Sequence, residues 1–144
     1  MSILVRAMSA DDYASVAELW RRTEGIGLNE SDTEHAIVAY LSRNPGMSAV
    51  GQLQHGEVIA SILCGHDGRR GYLHHLAVDP ALRHQGIAAR LLEWCFERLR
   101  EAGVPKCNIF LFRDNELGAS FWSHNGWSSR SDLRVFQKAT SSKE

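Results

Sequence analysis

Between residues 72 and 112 the chain passes from a strand pattern through a helix pattern to a second strand pattern, and that order excludes most folds. Residues 72–78 read "YLHHLAV", an apolar-rich run that Asp79 and Pro80 close. From about Gly86 to Ala102, Ala88, Leu91, Leu92, Cys95, Phe96 and Leu99 recur at helical spacing, with Arg90, Glu93, Glu97, Arg98 and Glu101 opposite. Gly103 and Pro105 stop this helix, and residues 106–112 alternate as a second strand. A strand, a helix and a strand in that order make the two strands parallel, joined by a right-handed crossover.

The remaining elements are joined by short turns, which imposes antiparallel pairing. Residues 3–8 read as a strand. A helix follows from the Ser9 cap to about Arg22, with Asp11 and Asp12 in its first turn. "EGIGLNESD" breaks the pattern, and a second helix capped near Ser31 or Asp32 runs to about Arg43. Residues 48–54 and 58–64 form a hairpin through His55–Gly56. A short helix at 116–125 and a final strand at 133–138, "LRVFQK", complete the order β-α-α-β-β-β-α-β-α-β. The expected fold class is α/β: a mixed, mostly antiparallel sheet with helices on both faces. The length of 144 residues fits one domain, placed at 1–139, with a flexible tail at 140–144.

Composition excludes several classes. Sixteen basic and seventeen acidic residues give a net charge of −1, so no global field draws in nucleic acid or an anionic membrane; Arg21–Arg22 and Arg69–Arg70 are only local patches. No apolar run reaches the roughly 18 residues of a membrane span, and residues 1–15 lack the apolar stretch of a signal peptide. Cys64, Cys95 and Cys107 are odd in number, lie in apolar runs and lack metal-type spacing. They read as free thiols in a reducing cytoplasm. The seven histidines are scattered without ligand spacing, so no metal site is expected.

The connection "DPALRHQGIA" into the third helix is more than a turn needs. A helix N-terminus carries free amides and about half a positive charge, which suits phosphate. Gly86 removes a side chain where a ligand oxygen would approach the backbone, Arg83 adds a guanidinium, and Ala88 is small. No G-x-x-x-x-G-K-[ST] and no post-strand G-x-G-x-x-G occurs, which argues against a nucleoside triphosphatase and a Rossmann dinucleotide site.

Arg83-x-x-Gly86-x-Ala88 resembles the acetyl-CoA signature [QR]-x-x-G-x-[GA] of the GNAT N-acetyltransferases. "DNELGASFWSHNGW" is similar to that family's N-x-x-A-x-x-[FL]-Y-x-x-x-G-[FY], with Asn115 and Gly126 at the matching spacing. The element order is also the family's, and the likeness is to its small single-domain bacterial, YpeA-like members. The resemblance implies acetyl-CoA as cosubstrate, its pyrophosphate on the turn formed by Arg83, His84, Gln85, Gly86, Ile87 and Ala88. It implies that the backbone of Leu76, Ala77 and Val78 holds the pantetheine arm, with an amide at Val78 or at a neighbouring strand bulge polarising the thioester. Asn115 and Phe121 match positions beside the pantetheine and acetyl end. Homodimers are common in the family, and the amine acceptor stays open.

Two residues depart from the family pattern. Trp122 stands where a tyrosine is usual, and an indole N–H can donate a hydrogen bond but cannot protonate a leaving thiolate. Gly118 replaces the usual alanine. The base is expected at His74 or His75, in the strand before Val78, where family members often carry a carboxylate. Alternation lets only one of the two face the acceptor, and His74 is preferred. Glu24, Asn29, Glu30 and Asp32 are either cleft residues or loop solvation. The expected activity is transfer of an acetyl group to a primary amine by direct attack in a ternary complex. The alternative is a non-catalytic acyl-CoA-binding regulatory module.

Overall fold

The structure, a computed structural model, describes residues 2–141. They divide into two compact units, at Phe110/Leu111. The first holds β1 (Ile3–Ala7), α1 (Tyr13–Arg21), α2 (Glu34–Arg43), β2 (Ala49–Leu53), β3 (Val58–His66), β4 (Gly71–Val78), α3 (Ile87–Glu101) and β5 (Cys107–Ile109). The second holds α4 (Glu116–His124).

The sheet order is β1-β2-β3-β4-β5. The first three pairings are antiparallel and β4–β5 is parallel, as the crossover requires. β3 is central and buried along nearly its whole length, which is why "VIASILCG" carries so little polarity. Alternate residues of β3 meet different helices. Ser61 accepts a hydrogen bond from the Trp20 indole of α1 at 3.0 Å. Leu63 packs in the same cluster, with Val16, Leu19 and Trp20. Cys64 and Cys95 of α3 are both fully buried, and a Cβ on Gly71 would lie 2.8 Å from Leu99 of α3. Helices therefore cover both faces, in agreement with the expected class.

Local signals account for most element ends. Asp12 accepts the Ser9 amide at 2.8 Å, but this cap opens a 3-10 turn at Ala10–Asp12 before α1 begins. Asn29 likewise caps a turn at Glu30–Asp32, and Thr33 caps α2 itself. Gly56 turns the β2–β3 hairpin at φ +101°.

Two expectations change, and a third is not tested. β5 is only Cys107–Ile109, because its partner β4 is bulged just beyond the paired residues and bends away. Residues 133–138 form no strand: Leu133, Val135 and Phe136 are exposed, and alternation without a neighbouring edge leaves no ladder to form. The tail expected at 140–144 lies, beyond Ser141, outside the described residues.

Candidate active site

The site begins with an irregularity in β4. Leu63 stands opposite His74 and Ser61 opposite Ala77, so His75 and Leu76 together face one residue of β3. His75 takes φ +54° to make this bulge. Left-handed backbone is uncommon outside glycine and is concentrated where surrounding structure enforces it. The extra residue resets the alternation. His74 meets the Tyr40 ring of α2 at 6.3 Å, and His75 meets the Trp20 ring of α1 at 4.9 Å. Both histidines thus lie on the α1–α2 side, which corrects the expectation that neighbours in a strand must point apart.

The bulge also opens the sheet. β5 pairs with β4 only at Gly71, Tyr72 and Leu73. From His74 through Leu76, Ala77 and Val78, the β4 edge away from β3 has no strand beside it among the described residues. Arg83 donates through Nε to the Val78 carbonyl at 3.2 Å, holding the chain beside the end of this edge. Pro80–Leu82 form one 3-10 turn, capped by Asp79 on the Ala81 amide at 3.0 Å and anchored by buried Leu82.

The chain then enters α3 through two left-handed residues, His84 at φ +65° and Gly86 at φ +78°. The first backbone bond of the helix is from the Arg90 amide to the Gly86 carbonyl, 3.2 Å. The amides of Ile87, Ala88 and Ala89 precede it, and no side chain at Gly86 caps them. A Cβ at Gly86 would project into open space. Arg83, His84 and Gln85 are exposed around this turn. Ile87 is the exception in this turn: its side chain is buried in the core, as is that of Ala77 in β4, so only their backbones can serve a ligand.

His74 borders a cavity of about 200 Å³ with Tyr40, Arg43, Asn44, Gly65 and Tyr72. Burial, reinforced by neighbouring His75, holds the His74 imidazole below its ordinary pKa and favours the neutral ring. The Tyr40 hydroxyl is the buried side-chain polar atom without a hydrogen-bond partner among the described residues. Burial raises its pKa, so it stays a phenol.

His75 has a partner that spacing could not reveal. Its Nε2 lies 2.8 Å from Oδ1 of Asp32, forty-three residues earlier in the chain. Asp32 is itself held: Oδ2 accepts the Asn29 amide at 3.0 Å, and its carbonyl accepts the Tyr13 hydroxyl at 2.7 Å. Glu24 and Glu30 of the same loop are exposed, whereas Asp32 is buried.

In the second unit, Asn115 caps α4 by accepting the Gly118 amide at 2.8 Å. Gly126, at φ +91°, ends the helical turn after His124. The spacing of the motif is therefore the length of this helix. Gly118 is explained locally: a Cβ there would lie 2.8 Å from Asn115 Nδ2 and 2.9 Å from Leu111 Cδ1. Trp122 is half-buried between Phe121 at 5.0 Å and Trp127 at 4.9 Å.

Other chemistries find little material. Among the described residues, no three His, Cys, Asp or Glu side chains group as metal ligands. Hydrogen bonding to Cys64 and burial raise the Cys95 pKa, and burial pushes Cys107 up to about 12, so neither is a ready thiolate. No described helix is long and apolar enough to cross a membrane.

An open strand edge running into an uncapped, glycine-led helix suits a ligand that is amide-rich along its length and anionic at its end. Comparison with known proteins agrees. Residues 13–127 match the acetyltransferase (GNAT) family. The chain is 33% identical over 118 residues to acetyltransferase SG1711 of Sodalis glossinidius, covering 82% of each. It is 31% identical over 112 residues to acetyltransferase ECA0875 of Pectobacterium atrosepticum, covering 78% of each. Its fold is similar to that of the PaiA N-acetyltransferase of Thermoplasma acidophilum solved with coenzyme A. That match has a TM-score of 0.78 and 20% identity, over 90% of this chain and 92% of that one. A Staphylococcus aureus GNAT acetyltransferase superposes at a TM-score of 0.80, with 17% identity over 96% and 94% of the two chains. The chain belongs to the GNAT family, and is by that membership an acetyl-CoA-dependent acetyltransferase.

Proposed function

We propose that this enzyme moves the acetyl group of acetyl-CoA to a primary amine by direct attack within a ternary complex. The observation that carries the reading is the continuous surface from the unpaired β4 edge to the free amides of α3. Pantetheine would hydrogen-bond along Leu76, Ala77 and Val78. The pyrophosphate would take the amides of the turn at Gly86, Ile87 and Ala88 and the charge of Arg83, with His84 and Gln85 beside it. An amide at the β4 bulge would meet the thioester oxygen, and a donor so placed contributes about 3 kcal/mol to an oxyanion. The coenzyme A held by the Thermoplasma relative supports this ligand.

The two histidines at the bulge supply the base. His74 is kept neutral by burial and borders the cavity with Tyr40. Asn115 and Phe121 are assigned to the acetyl and cysteamine end by the motif they share with the family, and Trp122 by the position it takes in that motif. Trp122 contributes an N–H and no proton, so the thiolate leaves with hydrogen bonding rather than acid catalysis. The free cysteines fit a cytoplasmic setting.

Calorimetric titration tests the cosubstrate site. Acetyl-CoA and CoA should bind at micromolar concentration and ATP should not; absence of acetyl-CoA binding would overturn the reading. Trp122 favours one rival, a regulatory module that binds acyl-CoA without turning it over. Acetylation of any amine removes that rival.

A further inference from the structure

We infer that His75, not His74, takes the proton from the acceptor amine, and that Asp32 is its positioning residue. The inference rests on the proposed amine acetylation and names a chemistry within it. Three observations meet at this residue. His75 occupies the first position of the bulge, where β4 has already lost β5 and where the thioester is proposed to sit. Its backbone is held at φ +54°, which brings its ring onto the α1–α2 side. Its Nε2 is 2.8 Å from a carboxylate whose other oxygen accepts the Asn29 amide.

The bond to Asp32 decides the tautomer. A carboxylate accepts, so in the neutral ring Nε2 carries the hydrogen and Nδ1 carries the lone pair. Nδ1 is therefore the basic nitrogen, and the His75 side chain is 17% exposed, sheltered but reachable. The groups facing the ring are Asp32 from the α1–α2 connection, Trp20 from α1 and His74 from β4 itself. When the ring becomes an imidazolium, the Asp32 carboxylate meets the new charge at hydrogen-bond distance. His74 makes no hydrogen bond to that carboxylate: Asp32 favours its charged form only at a distance, and burial and His75 outweigh it.

The step balances as follows. An ammonium R–NH₃⁺ gives one proton to Nδ1. The neutral amine attacks the thioester carbon, the C–N bond forms, and the C–S bond breaks. CoA departs as thiolate and takes the second proton as the amide forms. The imidazolium returns its proton to water when products leave.

The test uses two isomeric amines with acetyl-CoA at pH 7: benzylamine, which is protonated there, and 4-methylaniline, which is not. His75→Asn keeps a residue that tolerates left-handed backbone but cannot titrate. Its kcat/KM with benzylamine should fall about 10²-fold, the lower end of the usual range of acid–base catalysis, and that of Asp32→Asn, which only positions the base, by less, about tenfold. With 4-methylaniline both variants should lose far less than with benzylamine, because no proton needs removing before attack, and acetyl-CoA binding should be unchanged. Equal losses with both amines would make the pair structural and overturn the inference, as would full benzylamine activity in His75→Asn. A wild type that binds acetyl-CoA but acetylates neither these amines nor any other in a wider amine screen overturns the catalytic reading, and this role with it. A further readout needs no turnover: in ¹⁵N spectra, neutral His75 should be the Nε2–H tautomer in wild type. An Nδ1–H ring would overturn the assignment of the basic nitrogen.

Discussion

Gly86 holds φ +78° with open space where a side chain would project. Any other residue there strains the backbone, at about 1 kcal/mol, and also fills the space in front of the helix amides. Gly86→Glu should therefore weaken acetyl-CoA at least about 100-fold by calorimetry, through lost space and like-charge repulsion, while denaturant melts show only about 1 kcal/mol of lost stability. Normal binding in this variant would mean the anion site is elsewhere. Gly118 is constrained differently, by neighbours rather than by φ. Gly118→Ala improves helix propensity yet drives a methyl to 2.8 Å from Asn115 and 2.9 Å from Leu111. Overpacking of this kind should lower stability by about 1–2 kcal/mol in a thermal melt, and an unchanged or raised melting temperature would refute the contact. Gly86 was legible in the sequence because its demand is local: a strand end, a turn and a helix start in ten residues. The His75–Asp32 pair was not, because forty-three residues, one helix and two strands separate its members.

Elements inherit their boundaries from such residues and their function from their neighbours. β4 is half an ordinary strand and half a ligand-binding edge, divided by the bulge at His75 and Leu76. Its sequence alternates too weakly to show where the register shifts, so both the short β5 and the shared side of His74 and His75 followed only from pairing. Residues 133–138 make the converse point: a strand-like pattern is no strand without a partner edge. The junction of β1 and α1 carries an electrostatic prediction. Arg6 holds Asp12 through two bonds of 2.9 Å. Burial alone would raise the Asp12 pKa, but the Arg6 bond and the Ser9 amide outweigh it and leave the carboxyl below its ordinary value. A lowered folded-state pKa means stability that is present above the ordinary carboxylate range and lost as pH falls through the folded value. Asp12→Asn should cost about 1–2 kcal/mol near pH 7, discounted because Arg6 is partly exposed. Urea melts should show that gap closing toward pH 3 and below. A gap independent of pH would assign the effect to packing instead.

For the whole molecule, a net charge of −1 leaves no long-range field to gather an anionic cosubstrate, so affinity must come from the local cradle of amides and Arg83. Binding of that kind stabilises the fold by mass action. Acetyl-CoA at 100 times its Kd should add about 2.7 kcal/mol and raise the melting temperature by several degrees. ATP at the same concentration should not, and an equal shift with ATP would indicate a nonspecific phosphate site. The sequence by itself determined what depends on neighbours along the chain. The 3.6-residue and two-residue periodicities set most elements, the crossover set one parallel pair, and Gly86, Asn115 and Gly126 set the helix ends that place the family motifs. Tertiary structure alone decided what depends on register and long-range pairing. It set where β4 bulges and parts from β5, which histidine receives a carboxylate, and whether "LRVFQK" finds an edge. Those outcomes turn on which surfaces meet, and no local pattern encodes a contact between residues that only the folded core brings within 3 Å.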